Sequence, residues 1–304
     1  MSQFNDRAVR QFGKLEFLAR QVVEGFITGL HRSPYHGFSV EFAEHRAYNN
    51  GESTRHIDWK LFGKTEKLYT KRYEEETNLR CHILIDQSSS MYFPKDGEET
   101  KFSFSVKAAA ALIHLLRTQR DAVGLGLFDE EVREITPAKL SQRHLNYLYH
   151  LLEEKLDYDG QSRSTAAASA LHELAERIHK RSVVVIFSDM FESSEAGLDK
   201  LFSALQHLRF NKHEVILFHT VDQNHEIDFE YDNRPYKFVD MESGEVVKLN
   251  PSEIKDEYRK QLKSYKEELK LRCHQNKVDF VEADINQGFS KILMAYLARR
   301  KKMI

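Results

Sequence analysis

Apolar residues recur along this chain in two rhythms, and the switch between them divides it. The stretch LEFLARQVVEGFITGL, about residues 14–30, places its apolar residues at helical spacing and has Gly29 near its end. Residues 32–60 are rich in Gly, His and Arg and read as loop and short strand; LYTKRYEEETN alternates and reads as an extended strand. From Cys81 a regular alternation begins. CHILID (81–86) predicts a short buried strand, KFSFSVKAAAALIHLLRTQRD (101–121) a helix with a small-residue face, and 122–129 with 131–136 a strand pair. Helices follow at 140–156 and 164–180, then SVVVIFSD (182–189), a strand apolar on both faces, a helix at 195–210 and a strand at 213–222. Residues 277–284 predict a last strand and 288–300 a last helix.

Continuously apolar strands separated by helices predict a doubly wound, mostly parallel α/β sheet with helices on both faces. The segment 226–249 interrupts that pattern and reads as a β-hairpin with a turn at Ser243-Gly244, within an excursion of about 223–250. Pro251 then opens a long charged helix, where proline is tolerated because its missing N–H has no intrahelical partner. The expected organisation is an N-terminal extension, 1–79, docked on a main domain, 80–304, because the extension holds too little apolar surface to stand alone.

Composition narrows the functional classes. The 304 residues carry 45 basic and 47 acidic side chains, finely interleaved, which argues against a protein built to neutralise phosphates. Alternating Glu and Lys make the long helix a solvated face. The opening MSQFNDRAVRQFG has no apolar core, and unbroken apolar runs such as Val183–Phe187 are far too short to span a bilayer. With only Cys81 and Cys273, read as reduced thiols, the expectation is a cytoplasmic protein without membrane insertion. The 15 histidines are scattered without zinc-site spacing, and there is no phosphate-binding loop followed by Lys-Ser/Thr.

The candidate chemistry sits at strand ends, where doubly wound sheets hold their ligands. Asp86-x-Ser88-x-Ser90 follows the first core strand and offers one carboxylate and two hydroxyls from one tight loop. Such oxygen donors suit Mg²⁺ or Mn²⁺. Asp189 ends a second apolar strand, and Thr165, in GQSRSTAAASALHEL, offers a third hydroxyl. Each has a plainer reading as a turn or helix cap; all three features in this order favour the metal.

This set resembles the metal-ion-dependent adhesion site of von Willebrand factor A domains. There an Asp, two Ser, a Thr and a later Asp surround one Mg²⁺ or Mn²⁺, and a partner's carboxylate often completes the shell. Asp86, Ser88, Ser90, Thr165 and Asp189 match those roles in order. More specifically, residues 45–75 followed by ILIDQSSSM, the stretch YKFVDMESGEVVKLNPSEIKDEYRKQL and the ending ILMAYLARR resemble the bacterial family called domain of unknown function 58. The resemblance implies a non-enzymatic adaptor or co-chaperone for a MoxR-type AAA+ ATPase or its client, contacted through an acidic residue at the metal. Arg163-Ser164 stands where many relatives have Gly-Gly, so Ser164 competes with Thr165 for the ligand role; Gly51-Glu52 replaces the family's usual Gly-Asp. Arg46, Tyr48, Arg55, Asp58 and the single Trp59 form a second cluster. It reads either as a partner surface or as a clasp with Trp59 in a core, the clasp being favoured. Two other functions stay open: a metal-dependent phosphoester hydrolase, although Ser88 stands where such enzymes place a second Asp, and a nucleic-acid-binding module.

Overall fold

The computed structural model describes residues 14–31, 45–47, 59–71, 79–95, 97, 99–156, 167–191, 195–241 and 244–303. The chain divides into two compact units, Met1–Phe26 with Leu79–Ile304, and Ile27–Asn78.

In the larger unit a six-stranded sheet is built from β3 (Arg80–Asp86), β4 (Ala122–Phe128), β5 (Val132–Ile135), β6 (Val183–Ser188), β7 (Glu214–Val221) and β10 (Asp279–Asp284), in the order β10-β7-β6-β3-β4-β5. Every neighbouring pair is parallel except β4 and β5, which are antiparallel with an irregular register at Leu127/Phe128. The mostly parallel, doubly wound α/β fold expected from the apolar runs is the fold observed. β3 and β6 are buried almost throughout because helices cover both faces. One layer includes α5 (Ala167–Arg177), α6 (Glu195–Phe210) and the end of α7 (Pro251–Gln275), whose Leu171, Leu174, Leu205, Leu208 and Leu269 join Leu84, Val184 and Leu217 in one core.

Elsewhere the unit holds α3 (Lys101–Thr118), α4 (Gln142–Leu156) and α8 (Ser290–Met303). Its alanine row, Ala108–Ala111, lets α3 lie close against its neighbours, all four residues being fully buried. The first part of α1 (Lys14–His31) buries Leu15, Ala19 and Val23, and Glu16 pairs with Arg117 at 3.2 Å. Arg300 of α8 reaches the fully buried Asp121 at 2.8 Å, ahead of β4. Both cysteines are buried free thiols. No helix among the described residues is long and apolar enough to cross a membrane.

Two readings need correction. The excursion does contain a hairpin, β8 (Tyr236–Val239) paired with β9 (Val246–Leu249), and Gly244 takes φ 74° at its turn. Its first part, however, is not strand: Gln223–Ile227 form one π-helical turn, started by the Asp222 side chain accepting from the Asn224 amide. In the smaller unit β1 (His45–Ala47) pairs antiparallel with β2 (Tyr69–Lys71), and α2 spans Trp59–Thr65. Trp59 opens that helix with 61% of its surface exposed and an edge contact to Phe62, so among the described residues it is no core anchor. Of its cluster, Tyr48, Arg55 and Asp58 lie outside the described residues, as does the Arg46 side chain.

Candidate metal centre

The chain leaves β3 through α3 toward β4 on one side and returns to β6 on the other, so the β3–β6 seam is where strand order reverses. Crevices of doubly wound sheets open at such seams, beyond the carboxyl ends of the strands. Ile85 lies opposite Phe187 across the seam, which brings Ser188 level with Asp86 and puts Asp189 one residue beyond.

Asp86 is fully buried at the end of β3. Its Oδ1 accepts from the Ser88 amide at 2.8 Å and its Oδ2 from the Ser188 hydroxyl at 2.6 Å. The loop after it is tied to both sides. Gln87 donates its amide to the Phe128 carbonyl at 2.8 Å, and Ser89–Tyr92 form a single 3₁₀ turn pinned by the fully buried Met91. Ser88 and Ser90 hydroxyls lie 3.2 Å apart.

Asp189 enters from the other strand. Its Oδ2 accepts from Lys101 Nζ at 2.8 Å, its Oδ1 from the Phe191 amide at 3.3 Å, and Ser90 hydrogen-bonds to it as well. The bend that turns it inward is built at Met190, a buried residue held at φ 49° in the left-handed region, where non-glycine residues are uncommon. Ser188 Oγ accepts from the Met190 amide at 2.9 Å, while the Tyr265 hydroxyl of α7 donates to the Met190 carbonyl.

Lys101 is the component that sequence reasoning missed. It is the first residue of α3, behind a capping box in which Thr100 and Ser103 satisfy one another's backbone amides. A cation there opposes the helix dipole, which favours negative charge at an N-terminus. Its ammonium is nevertheless buried, 2.8 Å from Asp189 and 2.5 Å from Glu226 of the π-helical turn. Burial alone would pull the lysine pKa down, but Asp189 and Glu226 carry it above its ordinary value.

Asp189 and Glu226 share one ammonium and Asp86 feels the Asp189 charge, so these three carboxylates and one cation leave two negative charges when all are ionised. Their environments separate them. Asp86 is pushed up, first by burial and then by the Asp189 charge, with the Ser188 and Ser88 hydrogen bonds opposing. Asp189 is also penalised by burial, yet the Lys101 charge and hydrogen bond hold it below the usual carboxylate range. Glu226 is raised by burial and only partly relieved by Lys101. Hard oxygen donors with excess negative charge, gathered at one strand end, fit Mg²⁺ or Mn²⁺. Asp86, Ser88, Ser90 and Asp189 are the residues that would hold the ion.

The structure therefore brings four of the five sequence-predicted ligands together. Thr165 and its competitor Ser164 lie outside the described residues. Ser188, Lys101 and Glu226 were not anticipated. Ser188 had the signal of standing directly before Asp189, and Lys101 that of a cation at a helix start.

Comparisons with known proteins say little about chemistry. Uncharacterised proteins of Mycobacterium bovis and Mycobacterium tuberculosis are 24% identical to this chain over 175 residues, which are 58% of this chain and 55% of each relative. The chain thus matches about half the length of those curated relatives. Among solved structures, a conserved hypothetical protein BatB from Bacteroides thetaiotaomicron is similar with a TM-score of 0.45 and 14% identity, over 74% of this chain and 99% of that one. An aerotolerance-related membrane protein from Bacteroides fragilis is similar at 0.43 and 17%, over 74% of this chain and 100% of that one. The family described as Protein of unknown function DUF58 matches residues 44–268, most of the length, and the chain belongs to that family.

Proposed function

We propose that this protein is a non-enzymatic, metal-dependent interaction module of the von Willebrand factor A type, serving a MoxR-type AAA+ ATPase or its client as adaptor or co-chaperone. The observation that carries the reading is the convergence of Asp86, Ser88, Ser90 and Asp189 at the β3–β6 seam with negative charge in excess. Two carboxylates and two or three hydroxyls leave room in an octahedral shell, and a partner's Glu or Asp would fill it. In a partly desolvated crevice such a contact is stronger than in water. Phe191, two residues beyond Asp189 and half exposed, would supply an apolar contact beside the ion. The interleaved surface charge continues to weigh against nucleic acid.

The test is capture of a purified MoxR-type ATPase, and of client from native lysate, by the full chain with Mg²⁺ and with chelator. Capture should need the metal and be lost in a folded Asp86→Ala variant. Equal capture by Asp86→Ala would end the metal-bridge reading, and phosphoester turnover by the metal-loaded protein would favour a hydrolase.

A further inference from the structure

The buried ion-pair chain Asp189–Lys101–Glu226 goes beyond what a metal-binding loop requires. A site meant only to bind a divalent ion tightly would leave both of its acids to the ion. Here the second acid, Asp189, already has a cation: Lys101 Nζ stands 2.8 Å from Oδ2, with the lysine side chain 2% and Asp189 7% exposed. Lys101 also has a second acceptor on a separate element. Glu226 lies on the π-helical turn Gln223–Ile227 that follows β7, 2.5 Å from the same ammonium.

Glu226 is itself held in place. Its Oε2 accepts from the Asp222 amide at 2.9 Å, and its own amide donates to the Asp222 carbonyl at 3.0 Å. Asp222 is in turn bound by Asn286 at 2.8 Å and His225 at 2.8 Å. The acceptor that shares Lys101 with Asp189 is thus part of a rigid bracket and not a passing surface acid.

We infer that Lys101 is a built-in competitor of the divalent cation for Asp189, with Glu226 as the residue that holds the ammonium when the metal takes its place. The inference rests on the metal reading above and adds its regulation. Two cations sharing one carboxylate repel, so a metal ion bound to Asp189 must weaken the Lys101–Asp189 contact. Glu226 limits the cost, because the ammonium keeps one carboxylate partner inside the fold. An unpaired buried ammonium would be far more expensive. Metal affinity is thereby set low, and a partner's carboxylate, which adds the negative charge Lys101 offsets, raises it. Occupancy then follows the partner.

The test is Mn²⁺ titration of the full chain by calorimetry, with circular dichroism to confirm folding, for the parent protein and for Lys101→Met, Glu226→Gln and the double variant. Methionine retains most of the buried stem and removes the charge. Lys101→Met should bind Mn²⁺ at least tenfold more tightly. Glu226→Gln should bind severalfold more weakly, because Lys101 then relies on Asp189 alone. In the Lys101→Met background, Glu226→Gln should lose most of that effect. Parent-like or weaker binding by Lys101→Met overturns the competition while leaving the metal site standing. Where Lys101→Met folds, an equal Glu226 effect in both backgrounds overturns the route through Lys101; should it fail to fold, unchanged affinity in Glu226→Gln overturns the competition alone. Absence of Mn²⁺ binding in the parent and Lys101→Met alike overturns the metal reading and this inference with it.

Discussion

Ser188→Ala isolates how Asp86 is held. Ser188 is fully buried; its hydroxyl donates to Asp86 Oδ2 at 2.6 Å and accepts from the Met190 amide at 2.9 Å. Alanine leaves a buried N–H without its acceptor, worth about 1–3 kcal/mol, and removes a hydrogen bond to a charged group, worth about 1.5–3 kcal/mol. The two losses share one relaxing bend, so the expected destabilisation is roughly 2–4 kcal/mol, or on the order of 5–10 °C in Tm. Urea and thermal denaturation of the metal-free protein measure it. A double-mutant cycle with Asp86→Ala should return a coupling of about 1–2 kcal/mol, since Ser188 has less to hold once the carboxylate is gone. Additive losses, within about 0.5 kcal/mol, would refute the claim that Ser188 acts on Asp86.

Three further outcomes test the frame around the site. His82, almost fully buried on β3 with its Nδ1 unpartnered among the described residues, has its pKa lowered to about 4, chiefly by burial and then by His213. The unfolded chain takes a proton near pH 6.5 that the folded chain refuses. His82 therefore stabilises above that pH, and the contribution is lost as pH falls toward 4, by roughly 2–3 kcal/mol. His82→Leu should flatten urea stability across that window, and an unchanged slope would count against the assignment. Gly124→Ala would place a Cβ 2.7 Å from the Thr136 carbonyl and 2.6 Å from the His82 ring, costing roughly 2–4 kcal/mol, whereas Gly25→Ala on α1 meets nothing within 4 Å and should be neutral or slightly stabilising by thermal denaturation. Arg300→Ala leaves the fully buried Asp121 with the Leu79 amide and the Tyr296 hydroxyl but without its Arg300 cation, and should cost about 3 kcal/mol by the same measurement, a loss under about 1 kcal/mol contradicting the pairing.

How far the fold was legible depended on whether local sequence carried the deciding force. β3 and β6 could be read because strands buried on both faces are apolar almost throughout, and each apolar run led into an acid, Asp86 at the end of β3 and Asp189 just beyond β6, that such a run does not explain. From those two strand ends followed Asp86, Ser88, Ser90 and Asp189. Lys101 was hidden because a lysine at a helix start, unfavourable as it is, names no partner; its role comes from Asp189 and Glu226, which are 88 and 125 residues away. Glu226 was hidden for a second reason. EIDFEY alternates like a strand, but Asp222 caps the segment into a π-helical turn, and local hydrogen bonding outweighs the alternation. Trp59 failed as a core residue because aromatic size says how much surface is available for burial, not whether a partner surface covers it.

The most direct test of the account is the stability of the full chain with and without Mn²⁺, compared with Asp86→Ala. A ligand that binds only the folded state stabilises it by about 2.7 kcal/mol at a hundredfold excess over Kd. The parent protein should show a rise that grows with the logarithm of Mn²⁺ concentration once Kd is exceeded, and Asp86→Ala should show none while remaining folded. An identical metal response in the two proteins would contradict a metal centre at Asp86.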